Sequence, residues 1–176
     1  YGYGTIFKTC AGITTTLYSF NRTTTGGSPQ GSLIQATDGN FYGTTSDGGT
    51  GGYGTIFKIT PAGSFSVIKH FTAATDGGSP KGSLVQGKDS LLYGMTYTGG
   101  TGTGGTVFKI SLTGTYTVLR HLVYATDGNN PEGNLVQGTD GNFYGMTNNN
   151  AKLFKISSAG VFTIIRSFSS TSDGSY

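Results

Sequence analysis

Seven of the eight acidic residues are Asp, and six of those stand directly before Gly: Asp38, Asp47, Asp76, Asp127, Asp140 and Asp173. Paired carboxylates in one pocket would serve general acid and base chemistry, and oxygen-rich loops of them could hold calcium. Asp-Gly is a turn former first, because the Asp side chain bonds backbone two residues on and Gly takes positive φ at no steric cost. No Asp-x-Asp-x-Asp-Gly loop closed by Glu occurs, so no metal site is expected. His70 and His121 hold the same place in successive stretches, with no Cys or third His beside them for a metal. No Ser or Cys nucleophile stands in a setting that would make a triad. The Gly-rich stretch 99–105 lacks the Lys-Ser/Thr of a phosphate loop. The residues therefore predict no catalytic group and no cofactor.

A different set of positions predicts binding. Gln30, Lys81 and Glu132 each follow a Pro and precede a Gly, so three unlike side chains occupy one repeated frame. Positions that are identical between copies serve packing, and positions that differ are free to discriminate a ligand. We expect these three to line one rim and to contact a glycan or a protein partner. Asn21-Arg22-Thr23 is a glycosylation-type sequon, meaningful in a host that glycosylates secreted chains.

The frame belongs to a repeat. Leu33, Gln35 and Tyr42 return as Leu84, Gln86 and Tyr93 and again as Leu135, Gln137 and Tyr144, always 51 residues on. A fixed period of this size marks a repeat architecture whose units bury their apolar faces against one another. Each copy holds four strand-like runs: 32–36, ending at Asp-Gly; 40–45; 54–59; and, after Pro61-Ala62-Gly63, 64–71. The Asp-Gly link predicts a type I′ hairpin turn, with the second copy's Asp89-Ser90 less comfortable. A helical reading is poor throughout. Tyr42, Tyr93 and Tyr144, with Phe57 and Phe108, read as core between units, each phenol finding a partner near the rim.

Four short antiparallel strands per unit make an all-β, β-propeller-like array of about three and a half repeats. The 32–36 run is taken as innermost. A single repeat domain then covers 1–176: a half blade at 1–20 and blades at about 29–72, 79–123 and 130–169. The pattern is cut at both ends, so we expect the rest of a longer chain, or other copies of this one, to complete the packing.

Gly (32) and Pro (4) make up about a fifth of the 176 residues, and charged residues only 11%, which favours turns and strands. The charge of +3 and pI near 9.0 could point to an anionic partner. Four of the basic residues, however, are Lys8, Lys58, Lys109 and Lys155, one per copy at one strand position. Such a ladder is no nucleic-acid patch. Cys10 is the single cysteine and forms no disulfide framework. The absence of an 18-residue apolar run predicts no membrane insertion, and the start at Tyr1 fits a processed, secreted or excised piece.

The stretches 54–63, 17–20 and 133–145 resemble the bacterial GloVer-type tandem repeat, known from Gloeobacter and Verrucomicrobia proteins with assorted C-terminal surface anchors. The likeness covers essentially the whole chain. It departs at Thr9-Cys10, at Lys88-Asp89-Ser90 and in the short Asn148-Asn149-Asn150 loop. The resemblance implies a cell-surface or secreted repeat protein with no established activity. The resulting expectation is an extracellular binding or structural module without catalysis. Its rivals are a subunit that self-assembles into a ring or filament, and a fragment of a propeller enzyme acting on polysaccharide.

Overall fold

The computed structural model describes residues 2–168. Two strands, β1 (Thr5–Cys10) and β2 (Ile13–Ser19), pair as an antiparallel hairpin. Three four-stranded antiparallel sheets follow, each in simple chain order. The first holds β3 (Ile34–Gln35), β4 (Phe41–Thr45), β5 (Thr55–Ile59) and β6 (Phe65–His70). The second holds β7 (Val85–Gln86), β8 (Leu92–Thr96), β9 (Thr103–Ile110) and β10 (Tyr116–Val123). The third holds β11 (Val136–Gln137), β12 (Phe143–Thr147), β13 (Lys152–Ile156) and β14 (Phe162–Ser167). The architecture is a β-propeller-like array, and the described sheets are open rather than closed on themselves.

The third strand of each sheet shows why the sheets stack. In Thr-Ile-Phe-Lys-Ile, successive side chains leave on opposite faces, and Ile56 and Phe57 are both buried. A strand apolar on both faces must be covered on both. Tyr42, Ile56 and Phe71 meet Leu84, Leu92 and Phe108 of the following sheet, and Tyr93, Val107 and Leu122 repeat the arrangement against Leu135, Phe143 and Phe154. Each large side chain so buried contributes roughly 1.5–3 kcal/mol, and no sheet obtains that alone. The Tyr-Gly pair of the second strand is part of the fit. A Cβ at Gly43 would lie 2.6 Å from Phe57 Cζ, and Gly94 and Gly145 stand equally close to Phe108 and Phe154.

Each third and fourth strand pair carries a bulge at the corresponding place, and the β9–β10 pair has a second irregularity between His121 and Val123. Ile56 faces Lys69 while Phe57 faces Val67, leaving Ile68 extra, and Leu17, Leu119 and Ile165 are the extra residues of the other pairs. Leu17, Ile68 and Leu119 pack into the core at the next sheet. Ile165, on the last described sheet, is 47% exposed.

Three expectations are corrected. The innermost strand pairs only at Ile34 to Tyr42 and Gln35 to Phe41, not along 32–36, because the chain before it lies against its neighbour in the next sheet. The Asp-Gly turn is not type I′. Asp38 has no positive φ, Gly39 (φ 79°) does, and Gly39 N–H donates to Ala36 carbonyl, the pattern of a type I turn followed by a left-handed residue. Ser90 takes that left-handed place at φ 66°. Finally, one helical turn does form, α1 (Tyr124–Asp127), where the Asp127 carboxylate accepts the Val123 N–H.

Candidate functional site

Gln30, Lys81 and Glu132 sit on the crossovers that carry the chain from one sheet to the next. Two residues before each, a non-glycine residue is held left-handed: Ser28, Ser79 and Asn130, at φ 53°, 52° and 54°. This conformation is strained and needs fixed partners on both sides. The N–H groups of Ser28, Ser79 and Asn130 donate backward to Tyr3, Tyr53 and Gly104 carbonyls at 2.9, 2.8 and 3.0 Å. The Ser28 carbonyl accepts the Ser46 hydroxyl at 2.9 Å, and the Ser79 carbonyl accepts Tyr97 N–H at 3.3 Å. Each crossover is thus tied to the loop of the preceding sheet and to the second-to-third-strand loop of its own.

After the Pro, the glycines bring neighbouring crossovers into backbone contact. A Cβ at Gly31 would lie 2.8 Å from the Gly82 carbonyl oxygen, and one at Gly82 would lie 2.2 Å from that of Gly133. The chain of contacts continues one residue on, where Ser32 N–H donates to Ser83 Oγ (2.8 Å) and Ser83 N–H to Asn134 Oδ1 (2.6 Å). The rim residues are carried on this tight line. Lys81 Nζ reaches Glu132 Oε1 at 2.8 Å and lies 3.4 Å from the centroid of the Tyr97 ring. The bond to Glu132 holds the ammonium's pKa above the ordinary Lys value. Gln30 is exposed on the same line of crossovers and takes no part in the Lys81–Glu132 pair. Tyr97 was missed in the sequence because its counterparts are Ser46 and Asn148; its place in the loop after the second strand was the available signal.

The crossover boundary also contains a size exchange. A Cβ on Gly27 would stand 3.1 Å from Tyr3 Cβ, and one on Gly78 2.8 Å from Tyr53 Cβ. At the third boundary the large and small partners swap, with Asn129 on the crossover and Gly104 at the start of β9, where a Cβ would stand 3.0 Å from Asn129 Cβ.

The described Asp-Gly carboxylates are engaged locally. Asp76 pairs with Lys69 at 2.7 Å, and Asp127 takes Arg120 through two nitrogens at 2.9 Å. Asp47 lies 3.3 Å from Arg22 Nε. Asp38 and Asp140 accept the Tyr42 and Tyr144 phenols at 2.8 Å, and Asp89 accepts Tyr93 at 2.7 Å. Burial and the bond to the carboxylate together raise the Tyr42 and Tyr93 pKa values far beyond the usual phenol range, so both remain protonated donors. Burial pushes the Asp38 carboxyl up, but the bonds from Asn40 and Tyr42 outweigh it and hold its pKa below normal. Asp173 lies outside the described residues.

His70 and His121 are loop anchors. Each Nδ1 accepts a backbone N–H, from Thr50 and Thr101 respectively, at 3.2 Å. Asn21 is exposed and its Oδ1 accepts the Thr23 N–H at 3.0 Å. The repeated Gln spans sheets: Gln86 Oε1 accepts Thr37 N–H at 2.9 Å and Gln137 Oε1 accepts Lys88 N–H at 3.1 Å. Among the described residues, no helix is long and apolar enough to cross a membrane.

The fold resembles solved propellers. Virginiamycin B lyase from Staphylococcus aureus superposes with a TM-score of 0.66 at 18% identity, over 90% of this chain and 46% of that one. A chain of a nidogen/laminin complex superposes with a TM-score of 0.61 at 17% identity, over 88% of this chain and 52% of that one. The chain thus spans about half of each. Comparison with curated protein sequences gives no match. The family described as the Gloeobacter/Verrucomicrobia repeat matches residues 1–176, and the chain belongs to that family.

Proposed function

We propose that the chain is a secreted or cell-surface propeller module whose crossover rim binds a glycan or a surface protein, with no catalysis of its own. The observation that carries this reading is the change from Gln30 to Lys81 to Glu132 within one repeated Pro-x-Gly frame. The backbone that presents these side chains is tied on both flanks, so the side chains vary on a rigid support, the arrangement recognition surfaces use. Lys81 and Glu132 are partly exposed, with 28% and 47% of their side chains accessible, and such a pair is worth under about 1 kcal/mol. A ligand can therefore replace it at little cost. Tyr97 beneath the ammonium offers a ring face for a sugar or an apolar side chain.

The test is the combined Gln30→Ala, Lys81→Ala, Glu132→Ala variant, assayed on glycan arrays and on bacterial envelope fractions. A loss of binding of at least about tenfold, with circular dichroism unchanged, is the expected result. Binding equal to that of the parent removes the rim from the reading, and turnover of a polysaccharide by the parent chain overturns the non-catalytic part.

A further inference from the structure

We propose that the groove between the β1–β2 hairpin and the first four-stranded sheet is an acceptor for one β-hairpin of the repeat's own inner type. The partner is a two-stranded segment with the pattern Leu-x-Gln, then Asp-Gly, then Phe-Tyr-Gly. This inference is independent of the rim.

Three observations lead to it. First, β5, β9 and β13 are each paired along both edges, whereas β1, their counterpart, pairs only with β2 among the described residues. Its other edge presents a row of backbone donors and acceptors, the template for strand addition. Second, the adjoining face is hollow and apolar. Two grooves of about 360 and 390 Å³ share Ile6, Phe7 and Leu33. Phe7 is 62% exposed, and Leu33 is 39% exposed where its counterparts Leu84 and Leu135 stand at 3% and 2%. Third, the other boundaries show what covers that face. There the inner hairpin of the preceding sheet supplies a Tyr, and Tyr93 stacks on Phe143 with ring centroids 3.8 Å apart. The same hairpin supplies the backbone N–H taken by the next sheet's Gln. At the first boundary Phe41 and Gln35 await both.

The register follows from β4 on β5, where Phe41 faces Ile59, Tyr42 faces Lys58 and Gly43 faces Phe57. The incoming Phe, Tyr and Gly therefore oppose Thr9, Lys8 and Phe7. The Gly is required, because a Cβ there would strike the Phe7 ring as it would strike Phe57. The donor's Tyr caps Phe41 and Leu33, and its turn N–H reaches Gln35. A second copy docking by its last sheet would not meet these requirements. Its inner hairpin is already paired within that sheet and cannot reach the edge of β1.

The test adds a synthetic peptide of residues 129–147 to the isotopically labelled chain and follows Leu33 methyl shifts and amide exchange along β1. The expected result is saturable one-to-one binding with ring-current shifts at Leu33 and slowed exchange at Thr9, whose N–H faces the open edge. Peptides with Tyr144→Ala or Gly145→Ala, and the chain with Leu33→Glu, should bind at least about tenfold more weakly. A short peptide must order itself on binding, so a second arm places a copy of residues 26–50 before Tyr1, in register because Tyr3 corresponds to Tyr53. This chain should unfold at higher urea with a steeper denaturant dependence than the parent. Absence of both the peptide shifts and the urea effect overturns the proposal. So does a doubling of native mass at micromolar concentration that Leu33→Glu abolishes, which would make a second copy the occupant.

Discussion

Leu33, Leu84 and Leu135 are one residue in three environments, and replacing each in turn with Ala measures how the boundaries differ. Each Leu side chain lies against the glycine of its own second strand, with Cδ2 2.8–2.9 Å from where a Cβ would stand on Gly43, Gly94 or Gly145. Leu84 and Leu135 are 3% and 2% exposed, and Leu33 is 39% exposed. Removing three carbons forfeits about 2.4 kcal/mol of transfer free energy when they are fully buried, at about 0.8 kcal/mol per carbon. In a closed core the cavity adds roughly another 1 kcal/mol, so Leu84→Ala and Leu135→Ala should each lose about 3–4 kcal/mol. At Leu33 only about three-fifths of the transfer term applies and the space opens to water, giving about 1.5 kcal/mol. The chain has no Trp, so urea unfolding is followed by Tyr fluorescence and far-ultraviolet circular dichroism together, and agreement of the two probes checks cooperativity. Equal losses at Leu33 and Leu84 in a monomeric chain would refute the reasoning, since the first boundary would then be as closed as the second.

Two smaller perturbations probe single residues. Ser90→Gly should stabilise the chain by about 0.5–1 kcal/mol, because Ser90 is left-handed at φ 66° where Gly39 and Gly141 stand in the other copies; a lower urea midpoint would contradict it. Burial, and secondarily Lys69, lowers the pKa of His70, whose Nδ1 accepts the Thr50 N–H. Its contribution is therefore fully present above the unfolded value of about 6.5 and is lost as pH falls through the lower folded value. Relative to His70→Asn, the parent should lose stability as pH falls below about 6.5; parallel pH profiles would exclude this.

The features legible in the sequence were those set within one copy. The period placed Tyr42 and Tyr93 in the core, while Tyr144, expected there too, is only partly buried on the last described sheet; Asp-Gly marked the hairpins. The turn type was misread because Asp38 bonds the Asn40 N–H and so favours an ordinary turn with Gly39 as the left-handed residue. What stayed hidden was set across copies. The bulge at Ile68 has no local signal, since only its contact with the next sheet requires it. The strained Ser28 and Ser79 read as ordinary loop residues until their ties to Tyr3 and Tyr53 are seen. Of the predicted rim, the structure brings Lys81 and Glu132 together and leaves Gln30 apart, because their spacing depends on how neighbouring crossovers stack.

The exchange of large and small residues at the sheet boundaries makes the order of the copies matter. Gly27 and Gly78 leave room for Tyr3 and Tyr53, while Asn129 depends on Gly104 at the start of β9. A crossover of the Asn129 kind placed after a loop of the Tyr53 kind would force two side chains into space sized for one. The copies are therefore not interchangeable beads. Each carries at its end a fitting that accepts only a matching successor, so a gene lengthened by duplication keeps a foldable product only when the duplicated piece starts and stops where the fittings still agree.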